Sequence, residues 1–129
     1  MSGNNIATGQ IVNNTPYDLY VANSGINSGH WKTTPVAVAK GTTSNSAFVA
    51  QGTSGTATGT SGWVQYSLQG APTSIVANLA FDDPYSSSNS ASGTNINTTT
   101  YVVIASVPSS GSQVTFTYTI GPPPSGQPT

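Results

Sequence analysis

The 129-residue chain contains no cysteine, two basic residues, three acidic residues, one histidine and one methionine. Each scarcity removes a class of function. Without cysteine there is no disulfide, no thiol nucleophile and no thiolate metal ligand. His30 alone is too little for a zinc site, which draws on several His or Cys ligands. Lys32 and Lys40 are the two cations of the sequence, too few to neutralise a run of phosphates, so nucleic acid is excluded as a partner. The same lack excludes polybasic attachment to anionic lipid. No apolar run approaches the roughly 18 residues of a spanning helix. The opening Met1-Ser2-Gly3-Asn4-Asn5 shows neither the charged nor the apolar region of a signal peptide. The product is therefore expected to be soluble when made.

Catalytic constellations fail as well. Ser, His and Asp all occur, but no Gly-x-Ser-x-Gly elbow stands between a strand and a helix. Asp82-Asp83 is the one acidic pair. Neighbours at a strand end point to opposite sides, whereas glycosidase carboxylates face each other across a bond. The pair supplies too few oxygens for a calcium ion, which takes six or more. The plain reading is that Asp83-Pro84 opens a turn, one carboxylate accepting backbone N–H bonds. No catalytic residue, metal or cofactor is assigned, and the chain is not read as an enzyme.

Charged residues make up 4 % of the chain, against about a quarter in ordinary domains, and hydrophobic residues 35 %. Disorder at low hydrophobicity usually accompanies a high net charge, and here the net is −1. Ser, Thr, Asn and Gly fill the deficit, and these suit wet strand faces and turns. Period-2 alternation dominates. Over 113–120, Val114, Phe116, Tyr118 and Ile120 point one way and Thr115, Thr117 and Thr119 the other. Over 63–69, Val64, Tyr66 and Leu68 point inward, and over 74–81 Ile75, Ala77, Leu79 and Phe81 do so. Residues 100–107 carry Val102-Val103-Ile104 in succession, which predicts a strand covered on both faces. Residues 8–13 and 17–23 read as a hairpin around Asn14-Thr15-Pro16, and 36–39 and 46–51 as shorter strands. Residues 23–29 read as a flexible stretch, and 52–62 and 86–100 as loops. These elements predict a single-domain, all-β antiparallel sandwich over 1–120 with a Pro/Gly-rich tail over 121–129.

Aromatic residues are 9 % of the chain, and three sit beside polar segments. Trp63 lies on the face opposite Val64, Trp31 stands between His30 and Lys32, and Tyr85 follows Pro84. Such side chains, apolar in body and polar at the tip, suit a membrane interface or a sugar; equally, each could cap an edge of the core.

Four segments carry a family resemblance. They are Val12-Asn13-Asn14-Thr15 with Ser28-Gly29-His30-Trp31-Lys32-Thr33-Thr34-Pro35; Thr58-Gly59-Thr60-Ser61-Gly62 leading into Val64-Gln65-Tyr66-Ser67-Leu68; Leu79-Ala80-Phe81-Asp82-Asp83-Pro84-Tyr85 with Asn89; and the closing strand 114–120. In this order, over about residues 8–120, they resemble the aegerolysins, and among them the small component of bacterial binary insecticidal toxins. Ser61 stands where relatives often carry an acid, and Ser86-Ser87-Ser88 replaces an expected glycine. The resemblance implies a β-sandwich that binds membrane lipid, often a sphingolipid, or a surface receptor on target cells. It further implies a larger pore-forming partner protein and action outside the producing cell. Recognition is then expected to rest on Trp31, Trp63 and Tyr85, with His30, Lys32, Asp82 and Asp83 beside them. A lectin-like glycan-binding module and a self-assembling structural protein are the rival readings. Neutral strand edges are compatible with a homo-oligomer.

Overall fold

Alternating apolar and hydroxyl side chains leave a strand with one face to bury, and two such sheets bury each other. The computed structural model describes residues 5–52, 59–68, 75–85, 88–96 and 100–122, which form strands and no helix. The strands are β1 (Ile6–Asn13), β2 (Leu19–Ser28), β3 (His30–Thr33), β4 (Thr43–Gln51), β5 (Thr60–Leu68), β6 (Ile75–Asp83), β7 (Ser90–Asn95), β8 (Val102–Ser106) and β9 (Gln113–Gly121). One sheet has the order β3-β4-β1-β9-β8 and the other β2-β5-β6-β7. The strand pairs are antiparallel except β1–β9, which run parallel with Ile6 beside Gln113 and Asn13 beside Ile120.

Most of the inward residues read from alternation form the core. Ile75 does not, because a bulge opposite Tyr66/Ser67 breaks the alternation there and Val76 is buried in its place, and Val114 is only partly buried. Val64, Tyr66 and Leu68 of β5, Ala77, Leu79 and Phe81 of β6, and Phe116, Tyr118 and Ile120 of β9 are buried. Phe48 of β4 sits at the centre, its ring lying on Gly9, where a Cβ would come within 2.2 Å of it. Ring centroids stand 5.4 Å apart for Phe48–Phe81, 5.9 Å for Phe81–Phe116 and 6.3 Å for Phe48–Tyr118, within the span of favourable aromatic pairs.

Several expectations are corrected. β1 and β2 are not a hairpin: they lie in different sheets, because β4 and β9 already occupy both edges of β1. Asn13, fully buried, ties the corner instead. Its Nδ2 donates to the carbonyls of Tyr17 (2.9 Å), Val38 (3.1 Å) and Ala39 (3.2 Å), while its Oδ1 accepts from the Thr15 N–H. Residues 23–29 are not a flexible stretch: 23–28 complete β2, with bulges at Val21/Asn23 and Ile26/Ser28, and Gly29 links it to β3. The polar tract 86–100 holds a strand, β7, whose inward residues are only Ala91 and Gly93. Gly93 lets Val103 of β8 approach to where a Cβ would be, 2.3 Å from Val103 Cγ1, so the two sheets meet along this edge. β8 is covered on one face alone. It ends its sheet, and Ile104 is half exposed. Residues 36–39 supply one bridge, Leu19–Val38, rather than a strand. Of the predicted loop 52–62, the last three residues open β5, and 53–58 lie outside the described residues. Of the predicted tail 121–129, Gly121 belongs to β9, Pro122 follows it, and 123–129 lie outside the described residues.

Asn13→Ala is expected to lower unfolding stability by about 1–2 kcal/mol, since buried carbonyls at the corner lose their donor. Urea titration measures it. An unchanged midpoint would show that the corner holds without the amide.

Candidate functional site

The strand registers bring parts of three motif segments, around residues 28–30, 60–61 and 82–85, to one end of the sandwich, while 12–15 lies at the other. His30 opens β3 opposite Gln51, the end of β4. Thr60, the start of β5, pairs with Asp83, and Ser61 pairs with Ser28 on one side and Asp82 on the other. Asp82 faces Ser90 of β7. The Gly52 N–H donates to the Asn5 carbonyl and the Ile6 N–H to Ser112. Segments far apart in sequence, 28–30, 59–61, 82–85, 89–90 and 108–112, thus share one rim. The 13–19 corner and the turn at Lys40 lie at the opposite end.

Within this arrangement the two carboxylates separate, as neighbours on a strand must. Asp82 is exposed on the outer face of β6, and Asp83 is buried on the inner face. The sequence context predicts that one carboxylate accepts backbone N–H bonds of the turn; among the described residues the Asp83 carboxylate instead takes a side-chain donor. Its Oδ1 accepts from Asn5 Nδ2 at 3.0 Å, and its Oδ2 has no hydrogen-bond partner. The same amide donates to the carbonyls of Asp83 (3.1 Å) and Pro84 (3.0 Å). Burial pushes the Asp83 carboxyl up to about 6, against the lowering effect of the Asn5 bond, and the charge of Asp82 adds to the rise.

The three aromatics do not converge. Trp31 is partly buried and faces inward, its ring 5.8 Å from those of Phe48 and Phe81. Trp63 lies on the outer face of the other sheet, paired with Gly25 and Ala80. Its indole covers Gly25, where a Cβ would stand 2.7 Å from the ring. Tyr85 lies past the end of β6 and is 46 % exposed. His30 and Lys32 are exposed on β3, the strand at the far edge of its sheet from β8.

Tyr85 borders a cleft of about 370 Å³ whose second wall, 109–112, no sequence motif marks. Pro84, Tyr85 and Ser88 line one side, and Ser109, Ser110, Gly111 and Ser112 the other. Buried Asn89 builds the second wall. Its Nδ2 donates to the carbonyls of Pro108 and Gly111, each at 3.0 Å, and its backbone N–H to Ser109. Among the described residues, no side chain lining the cleft is charged. A smaller hollow of about 160 Å³ lies on the outer face beside Asp82, against Ala80, Ser90 and Ser92.

A family model described as aegerolysin matches residues 7–122. No curated protein matches the chain. Several solved structures share the fold. The lipid-binding protein Nakanori superposes with a TM-score of 0.69 at 10 % identity, over 92 % of this chain and 71 % of its own. IP-1A from Alcaligenes faecalis superposes with a TM-score of 0.65 at 17 % identity, over 92 % of each chain.

Proposed function

The chain belongs to the aegerolysin family, and from that premise we propose that it is the membrane-recognition component of a two-component, insecticidal pore-forming cytolysin. The family match along residues 7–122 carries this reading. The fold it shares with a lipid-binding protein supports it. In this reading the chain docks on a lipid or receptor of the target cell, outside the cell that makes it, and a larger partner protein supplies the pore.

The strands support this division of labour. Strands crossing a membrane as a barrel run about 9–11 residues with one lipid-facing side. The strands here of that length, β2, β4, β5, β6 and β9, all carry core residues. Releasing them to line a pore would dissolve the core. No described helix is long and apolar enough to cross a membrane. The motif-bearing rim with Tyr85 is the proposed contact surface, and Trp63 flanks it on the outer face. His30, Lys32 and Asp82 are its exposed polar neighbours. Trp31 and Asp83 support the rim from within.

Co-sedimentation of the pure chain with vesicles of varied composition tests the proposal. Binding to particular lipids is expected, with little change between low and physiological salt because the chain carries so few charges. Tyr85→Ala and Trp63→Ala are the informative variants. Trp31→Ala reports core stability instead, since that ring packs on Phe48 and Phe81. Dye release from loaded vesicles by this chain alone, or binding that collapses steeply with salt, would contradict the proposal.

A further inference from the structure

The cleft at the rim differs in kind from a site for a phosphate-bearing head group. Its described lining combines one exposed phenol ring, the hydroxyls of Ser88, Ser109, Ser110 and Ser112, and no cation. Both carboxylates of the rim, Asp82 and Asp83, lie one or two residues before its Pro84 wall. A phosphate seated here would find no cation in the described lining to neutralise it. Neither lysine repairs this. Lys40 lies at the opposite end of the sandwich, in the turn that leads into β4. Lys32 lies on β3, three strand positions from β9, which the 109–112 wall enters, in the order β3-β4-β1-β9-β8. At about 4.8 Å per strand that is roughly 14 Å, beyond the screening length of about 8 Å at physiological salt.

What the lining does offer is hydroxyl groups able both to donate and to accept, beside an aromatic face. A hexose presents the matching surface, a ring of hydroxyls around its edge and a C–H face able to lie on a phenol. The volume, about 370 Å³, falls in the range of small-ligand pockets, about 300–1,000 Å³. The serine wall is also held in place before any ligand arrives. Asn89 fixes the carbonyls of Pro108 and Gly111 with side-chain bonds and that of Ser109 with a backbone bond, which reduces the entropy lost when a ligand orders its site. From these observations we propose that the cleft between Tyr85 and Ser109, Ser110 and Ser112 binds an uncharged hexose, presented as the head group of a neutral glycolipid. This inference rests on the membrane-recognition reading and names the chemistry of its ligand.

The test compares phosphatidylcholine vesicles that carry glucosylceramide or lactosylceramide with vesicles that carry sphingomyelin, and with plain vesicles. Free lactose is added as competitor and, separately, titrated alone by calorimetry. The hexosylceramide vesicles are expected to retain the protein, and sphingomyelin to add nothing over plain vesicles. Tyr85→Ala and Ser110→Ala should each weaken retention about tenfold, the scale of one lost contact of good geometry. Both residues are exposed, so unchanged melting curves will separate lost binding from lost fold. Competition by free lactose would support the sugar chemistry and show that the lipid is its carrier. Lactose binding without vesicle binding would keep the sugar site and overturn the membrane reading. Retention by sphingomyelin vesicles at least as strong, unaffected by Tyr85→Ala, would overturn the sugar site and leave membrane recognition standing. No retention by any vesicle and no heat with lactose would overturn both.

Discussion

Asp83→Asn is expected to flatten the pH dependence of stability between about pH 4 and pH 6. The Asp83 carboxyl is buried, one of its oxygens has no partner, and its pKa is raised to about 6. In the unfolded chain it titrates near 3.9. Below pH 4 both states hold the proton and the group costs nothing. Between pH 4 and 6 the unfolded chain loses its proton while the folded one keeps it, so stability falls as pH rises. Above pH 6 the full penalty stands, about 2–3 kcal/mol for a rise of this size. The protein should therefore melt higher in mild acid than at neutral pH. An amide at position 83 cannot ionise, so that drop should vanish in the variant. Thermal melts of both proteins across this range measure it. A variant with the same acid-side rise as the parent would show that another group is responsible. Because the Asn5 amide ties this carboxylate to the Pro84 carbonyl at 3.0 Å, the same proton bears on the wall of the Tyr85 cleft.

Gly29→Ala is expected to cost about 3 kcal/mol or more, far beyond the same change at Gly41. Gly29 carries the chain from β2 in one sheet to β3 in the other with φ of 85°, a conformation that costs a residue with a side chain about 1–2 kcal/mol. Its Cβ would also fall 2.3 Å from the Gln51 carbonyl oxygen and 2.9 Å from Thr60 Oγ1. Gln51 is fixed by pairing on both sides, to Ile6 and to His30, so the backbone must shift, at about 1–3 kcal/mol for such overpacking. Gly41, with φ of 67°, has nothing within 4 Å of where a methyl group would stand, and its alanine variant should lose only the conformational part. Denaturant midpoints of the two variants isolate the clash. Equal losses would mean that Gly29 matters for its dihedral angle alone.

Much of the sandwich is legible in the sequence because its strongest strands alternate large apolar residues with threonine, serine or glutamine. β5 and β9 carry three or four such residues in step, and their burial follows the period of two. β7 is not legible, because Ser90-Ala91-Ser92-Gly93-Thr94-Asn95 buries little and owes its place to pairing with β6. The Asn14-Thr15-Pro16 corner reads as a hairpin because local turn chemistry is the same whether the chain returns to its own sheet or crosses to the other. What decides the crossing is the occupancy of both edges of β1, a property of distant segments.

The site divides in the same way. That Asp82 and Asp83 face opposite sides follows from the strand they end. That Asp83 is the buried one, held by Asn5 across 78 residues of sequence, does not. Trp31 reads as a surface aromatic among His30, Lys32 and polar neighbours, yet its register opposite Ala50 turns it onto Phe48 and Phe81. Asn89 stands in a motif without a visible role, and the Pro108-Ser109-Ser110-Gly111-Ser112 segment reads only as a gap between strands. Their joint product, the serine wall of the cleft, exists only once β6, β7, β8 and β9 are assembled.

Contact between a membrane and the rim that holds Tyr85 can be read out directly, because the chain has no cysteine of its own. Ser110→Cys at that rim and Lys40→Cys at the opposite end each give one thiol, to be labelled with an environment-sensitive fluorophore and mixed with vesicles that bind the protein. The label at 110 should shift to the blue and brighten while the label at 40 stays as in buffer. A shift at 40 with none at 110 would place the membrane on the other end of the sandwich and overturn the proposed contact surface.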